Sequence, residues 1–214
     1  MTDILIEDGQ ALIDGELAAA SLAVVDGRIS EIGGPPRRTS MTLDARGLLV
    51  LPGIVDLHGD AFERQMLPRP GVGFPIDVAL LDTAPQLIAN GITTAFHGIT
   101  WSWEPGLRGT ENAHALVEAI AALKPRLAAD TRAHLRHETF NLDAEPTIIE
   151  WIRARQIDLL AFNDHMSLTV LNPVKLEKRA QMAQRTGLTL AEFDSLSERV
   201  ASRADEVAAS IARL

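Results

Sequence analysis

Hydrophobic and polar positions follow two different rhythms along this chain. In residues 3–50, short apolar runs are interrupted by Asp8-Gly9, Asp14-Gly15 and Asp26-Gly27. Asp-Gly suits the positive φ angles of tight hairpin turns, so this stretch predicts strands joined by hairpins. Ala23-Val24-Val25 and Arg28-Ile29-Ser30-Glu31-Ile32 flank one such turn and form its best-supported hairpin. Gly33-Gly34-Pro35-Pro36 then ends the pattern. Residues 1–50 read as a β-rich N-terminal subdomain, and 51–214 as a second region.

In the second region, strand-like apolar runs alternate with helical periodicity. Strands are predicted over residues 49–57, 92–99, 132–140 and 157–162. Helices follow them over 77–90, 111–129 and 146–155, with Gly91 capping the first. The last strand is nearly all apolar, as a strand buried on both faces should be. This alternation predicts a parallel sheet in an α/β fold. A helix follows over 174–185, stopped by Gly187. Thr189 and Glu192 fit a capping box. Leu190, Phe193, Leu196, Val200, Val207 and Ile211 then recur at helical spacing. They predict an amphipathic helix laid on the sheet layer, with a partner-docking face as the alternative.

Composition narrows the functional classes. A hydrophobic fraction of 46% describes a globular chain with a sizeable core. The net charge of −9 argues against nucleic acid or an anionic membrane as partner. An anionic substrate would need local arginines or a metal to overcome that field. Cysteine is absent, which excludes disulfides and thiolate metal sites. No signal peptide is visible at the N-terminus, and no apolar run approaches the about 20 residues of a membrane span. A cytoplasmic location is the expectation.

Candidate chemistry begins where the first predicted strand of the second region ends, in Leu57-His58-Gly59-Asp60. On a strand, His58 and Asp60 would share one face, and Gly59 leaves the space between them open. An imidazole and a carboxylate are good ligands for zinc or a similar divalent ion. A bare His-x-Asp is more often an ordinary polar strand end. Its flanks change that. Pro52-Gly53-Ile54-Val55-Asp56-Leu57-His58 resembles the first barrel strand of the amidohydrolase superfamily, with Asp60 where His-x-His is usual. The continuation through Pro68-Arg69-Pro70-Gly71 to Phe74-Pro75 is similar to the PhnM family of phosphonate catabolism. Gly91-Ile92-Thr93-Thr94, His134-Leu135-Arg136-His137-Glu138 and Asp164-His165 fit in order.

The resemblance implies the N-terminal part of a TIM-like (β/α)8 metal-dependent hydrolase barrel, about four β/α units, preceded by a small β-sandwich subdomain. A whole barrel takes about 250 residues, so the expectation is a front half. Barrel active sites lie at the C-terminal ends of the strands. His58 and Asp60, His97, Glu138, and Asp164 with His165 are predicted at the four ends. A shared metal site explains that recurrence better than four coincidences. His58, Asp60, Glu138 and His165 are the candidate ligands for one or two divalent ions, with zinc expected. The roles of His97 and Asp164 stay open. On the third strand His134, Arg136 and Glu138 share one face, while Leu135, His137 and Thr139 share the other. His134 is read as a hydrogen-bonded support. Arg136 and Arg69 are candidate phosphate contacts, Arg136 having the alternative of pairing with Glu138. The loop 100–108 carries Trp101 and Trp103, and is expected to fold over a cleft. His114 reads as a surface residue and Trp151 as core.

The implied activity is hydrolysis of ribose 1-methylphosphonate 5-triphosphate to the 5-phosphate and pyrophosphate. The general acid or base is expected on later strands. Alternatives are an amidohydrolase acting on C–N bonds, as a deacylase or cyclic amidase, or an inactive half-barrel assembly module. Four units alone are expected to be inactive and to self-associate through open strand edges.

Overall fold

Asp14 and Gly15 adopt φ angles of 51° and 88°, and Asp26 and Gly27 adopt 51° and 72°. Both pairs turn the chain as tight hairpins do. They join β1 (Ile4–Ile13) to β2 (Glu16–Val25), and β2 to β3 (Arg28–Ile32). Asp8-Gly9 does not form the expected turn. Asp8 has φ 61°, and the register of β1 against β2 shifts between Ile6 and Gly9, so the pair is a bulge inside β1. A Cβ at Gly9 would lie 2.8 Å from Val50 Cγ2, which is why glycine stands there. Strands β4 (Met41–Asp44) and β5 (Leu49–Val50) add to β1 in parallel. The sheet order is β3-β2-β1-β4, with β5 also on β1.

This computed structural model describes residues 3–34, 39–69, 72–172 and 176–214. Pro35 and Pro36, Pro70 and Gly71 of the arginine loop, and Val174 at the start of a predicted helix lie outside the described residues. The chain forms two units, Met1–Gly53 and Ile54–Leu214. The apolar run from Leu49 is therefore not one strand: Leu49–Val50 belongs to the first unit, and Pro52-Gly53 breaks the ladder.

The second unit is built on β6 (Ile54–Gly59), α1 (Ala61–Met66), α2 (Ile76–Ala89), β7 (Ile92–Trp101), α3 (Thr110–Leu123), β8 (Asp130–Glu138), α4 (Glu145–Arg153) and β9 (Leu159–Asn163). These four strands form a parallel sheet in sequential order, as consecutive β/α units should. Its main core lies between the sheet and its helices. There Ile99 and Trp101 of β7 and Ala133 and Leu135 of β8 pack with Leu80, Leu116, Val117 and Ile148. Helix α3 stops at Leu123, short of the predicted end, because Pro125 supports only a 3-10 turn over Lys124–Arg126. Three helices close the unit: α5 (Leu176–Thr186), α6 (Leu190–Ala201) and α7 (Ala204–Arg213). The predicted amphipathic run is thus two helices, broken at Ser202–Arg203. Phe193, fully buried, anchors α6 in a second core with Phe140, Met166 and Met182.

Candidate active site

Strand β8 alternates as its sequence requires. Ala133, Leu135 and His137 are buried, the first two in the helix-side core, while Arg132, His134, Arg136 and Glu138 occupy the opposite face. On that face, His134 Nδ1 donates to the Leu57 carbonyl at 3.0 Å, because a carbonyl can only accept. Its Nε2 therefore keeps a lone pair, and that atom is buried with no partner among the described residues. Burial lowers the His134 pKa, with the Leu57 bond opposing, which favours the neutral ring. The His58 ring lies against it, edge-on, with centroids 5.3 Å apart.

His58 is exposed at the end of β6, and its backbone N–H donates to Asp56 Oδ1 at 2.9 Å. The register of β6 against β7 shifts between Asp56 and Gly59, so simple alternation does not carry through to Asp60. Asp60 sits beyond the strand as the exposed N-cap residue of α1, without a side-chain cap bond.

Strand β7 continues to Trp101 rather than ending near His97. His97 therefore lies inside the strand, buried edge-on against Phe62 with ring centroids 4.9 Å apart. Burial pushes its pKa down to about 4, with Asp56 opposing. It is removed from the set of strand-end groups. Trp101 likewise packs into the helix-side core, edge-on to His114 and tilted against Trp151, with ring centroids 5.2 and 5.0 Å away. His114 is accordingly half-buried rather than a surface residue. Of the two loop tryptophans, Trp103 packs near Phe193 of α6.

Glu138 and His165 meet each other. The carboxylate, 2% exposed, accepts the His165 backbone N–H at 3.0 Å and pairs with His165 Nδ1. Asp164 does not join them in this contact: its Oδ1 accepts the Ser167 N–H at 2.8 Å, in the first turn of the π-helix Met166–Val170. Arg136 does not pair with Glu138. Its Nη1 reaches Thr100 Oγ1 at 3.5 Å, and its chain crosses Gly98, where a Cβ would stand 3.3 Å from Arg136 Cδ. Arg69 lies in the loop between α1 and α2, bridged to Val72.

Three residues join this site that sequence reasoning missed. Glu104 and Arg108, from the loop after β7, and Arg185, from α5, share a small cleft with Thr100, Glu138 and His165. Its volume is about 10 Å³, room for one water. Arg185 Nη2 donates to Glu104 Oε1 at 2.5 Å. Burial pushes the Glu104 pKa up, opposed by the charges of Arg185 and Arg108 and aided by that of Glu138. A contact across 81 residues leaves no periodic trace in a sequence. The only available signal was polar residues in a loop that follows a barrel-type strand. Among the described residues, no three His, Asp or Glu side chains are already gathered closely enough to hold a metal ion.

No family model matches the chain. Over 165 residues it is 26% identical to alpha-D-ribose 1-methylphosphonate 5-triphosphate diphosphatase of Escherichia coli K12, covering 76% of this chain and 44% of that protein. It is 26% identical over 141 residues to allantoinase of Bacillus licheniformis, covering 66% and 29%. It is 25% identical over 189 residues to D-hydantoinase of Ralstonia pickettii, covering 86% and 38%. The chain thus spans less than half the length of these relatives. The solved structure of D-hydantoinase from Bacillus sp. AR9 matches with a TM-score of 0.51 at 17% identity, over 73% of this chain and 32% of that one. The four-stranded parallel sheet fits part of such a barrel, and the chain resembles the amidohydrolase superfamily over part of its members' length, a PhnM-type diphosphatase among them.

Proposed function

We propose that this chain contributes the first strands of a metal-dependent hydrolase site of the PhnM type. Its substrate is ribose 1-methylphosphonate 5-triphosphate, and its products are the 5-phosphate and pyrophosphate. The observation that carries this reading is the polar face of β8, where His134, Arg136 and Glu138 stand together and are joined by His58 and His165. The diphosphatase of similar sequence supports the substrate.

The donors fit a divalent ion in kind. Among the described residues, the His134 imidazole lone pair beside His58 has no partner, and the remaining donors are carboxylate and imidazole. His58, Asp60, Glu138 and His165 would hold one or two ions, with His134 as an added or supporting donor. A divalent ion held there would supply Lewis-acid polarisation of a phosphoryl oxygen and a lowered pKa for bound water. The chain's own residues do the rest. Glu138 orients His165 through two contacts, one to its backbone N–H and one to Nδ1. Arg136, propped on Thr100, offers a planar fork to a phosphoryl oxygen.

A metal titration tests the site in the chain itself. Zinc should bind the parent, and His58→Ala, Asp60→Ala and His134→Ala should each weaken it by about 10-fold or more. Equal affinity in all four proteins would remove the site. Turnover is proposed for a protein carrying every ligand. It should release pyrophosphate from the triphosphate, and a chelator should abolish that release. The second reading, a cyclic amidase, is favoured by the allantoinase and hydantoinase similarities. A ring-opened product from a cyclic amide, with no pyrophosphate, would establish it instead.

A further inference from the structure

Glu104 is an unusually placed carboxylate. It is 2% exposed, it faces the same cleft as Glu138 and His165, and it uses only part of its bonding capacity. Oε1 takes the Arg185 guanidinium, but Oε2 is buried and has no partner among the described residues. Arg108 lines the same cleft, and its Nε–H is also buried, with no acceptor among the described residues. A buried donor or acceptor left unmade is costly, so this arrangement is a poor final state for two guanidiniums. A tetrahedral oxyanion offers more acceptor oxygens than one carboxylate. It can engage two planar forks at once.

We propose that Arg108 and Arg185 form a binding pair for the phosphoryl oxygens of the substrate, and that Glu104 is an internal carboxylate that stands in for them. The proposal rests on the hydrolase reading of the Glu138–His165 site, whose substrate class it deepens. Charge supports it: Arg108, Arg136 and Arg185 outnumber Glu104 and Glu138 locally, although the whole chain carries −9. Size supports it as well. A cleft of about 10 Å³ admits a water but no phosphate, so an anion enters by taking the place of the Glu104 carboxylate on Arg185. Burial already penalises the charged form of Glu104, which eases that exchange.

The test is a calorimetric titration of inorganic pyrophosphate into the 214-residue chain, at fixed ionic strength and with EDTA present. The parent should bind. Arg185→Met and Arg108→Met should each weaken binding at least 10-fold. Glu104→Gln should tighten it several-fold, because the competing charge is gone while the shape is kept. Arg126→Met, an exposed arginine beyond α3, should match the parent. Arg185→Met and Glu104→Gln break the same ion pair, so a purely structural pair would shift both in the same direction. Shifts of the same sign, no shift, or no binding by the parent would each overturn the proposal. If Arg185→Met does not fold, Arg108→Met against Glu104→Gln gives the same contrast. Opposite shifts without pyrophosphate release by the complete enzyme would uphold anion binding by this pair and remove the diphosphatase reading.

Discussion

Histidine shows how far position decides chemistry at the residue scale. His97 and His137 are 2% and 1% exposed, and burial pushes the pKa of each down to about 4. Asp56 beside His97, and Glu138 and Glu145 beside His137, raise the values but lose to desolvation. Both folded values lie below the ordinary histidine value of 6.5. Above pH 6.5 neither ring affects stability. Between there and about pH 4 the unfolded chain takes up protons that the fold refuses, so stability falls as pH falls. The loss approaches about 3 kcal/mol for each ring at the lower limit. Urea midpoints measured from pH 7.5 to 4.5 should decline, and His97→Phe or His137→Phe should each flatten the decline. Unchanged slopes would mean these rings are protonated in the fold. The burial of His137 was legible, because period-two alternation from Leu135 fixes it. The burial of His97 was not, because its meaning depends on β7 running to Trp101, and Thr100-Trp101 carries no stop or continue signal. Asp164 and His165 were inseparable for a related reason. Only the π-turn that follows gives Asp164 the Ser167 N–H and leaves His165 to meet Glu138.

At the scale of elements, local chemistry was the most readable. Thr189 Oγ1 accepts the Glu192 N–H at 3.3 Å, and the Glu192 carboxylate accepts the Thr189 N–H at 2.8 Å, completing the capping box that the sequence signals. Thr189→Ala should cost about 1 kcal/mol. Because α6 carries Phe193 against Trp103, the loss should appear as an earlier transition in tryptophan fluorescence. A transition unmoved by the substitution would mean that α6 folds independently of its cap. Boundaries were less readable. The same Asp-Gly pair makes a hairpin at Asp14 and Asp26 but a bulge at Asp8, since Val50 from a distant strand crowds Gly9. Tertiary contact, not dipeptide preference, decided that case.

At the scale of the whole molecule, the parallel sheet followed from strand-helix alternation, but the pairs that build the site did not. Glu138–His165 and Glu104–Arg185 close over 27 and 81 residues, distances at which one sequence holds no record of contact. The sheet also leaves two edges. Strand β6 pairs with β7, and β9 with β8, and among the described residues neither has a second neighbour. Ile54 and Val55 of β6 remain 55% exposed, and Phe162 of β9 remains 42% exposed. Open edges with apolar side chains are templates for pairing, and their burial against a second copy is favourable. The chain is therefore expected to self-associate reversibly. Sedimentation equilibrium should give a weight-average mass that rises above 23.2 kDa with concentration. Val55→Lys and Phe162→Lys place charges on the two edges without touching Glu138, His165 or Arg136, and each should move the mass back toward the monomer. A parent that stays monomeric at high concentration would show that these edges are tolerated. Variants that associate as strongly as the parent would place the contact elsewhere.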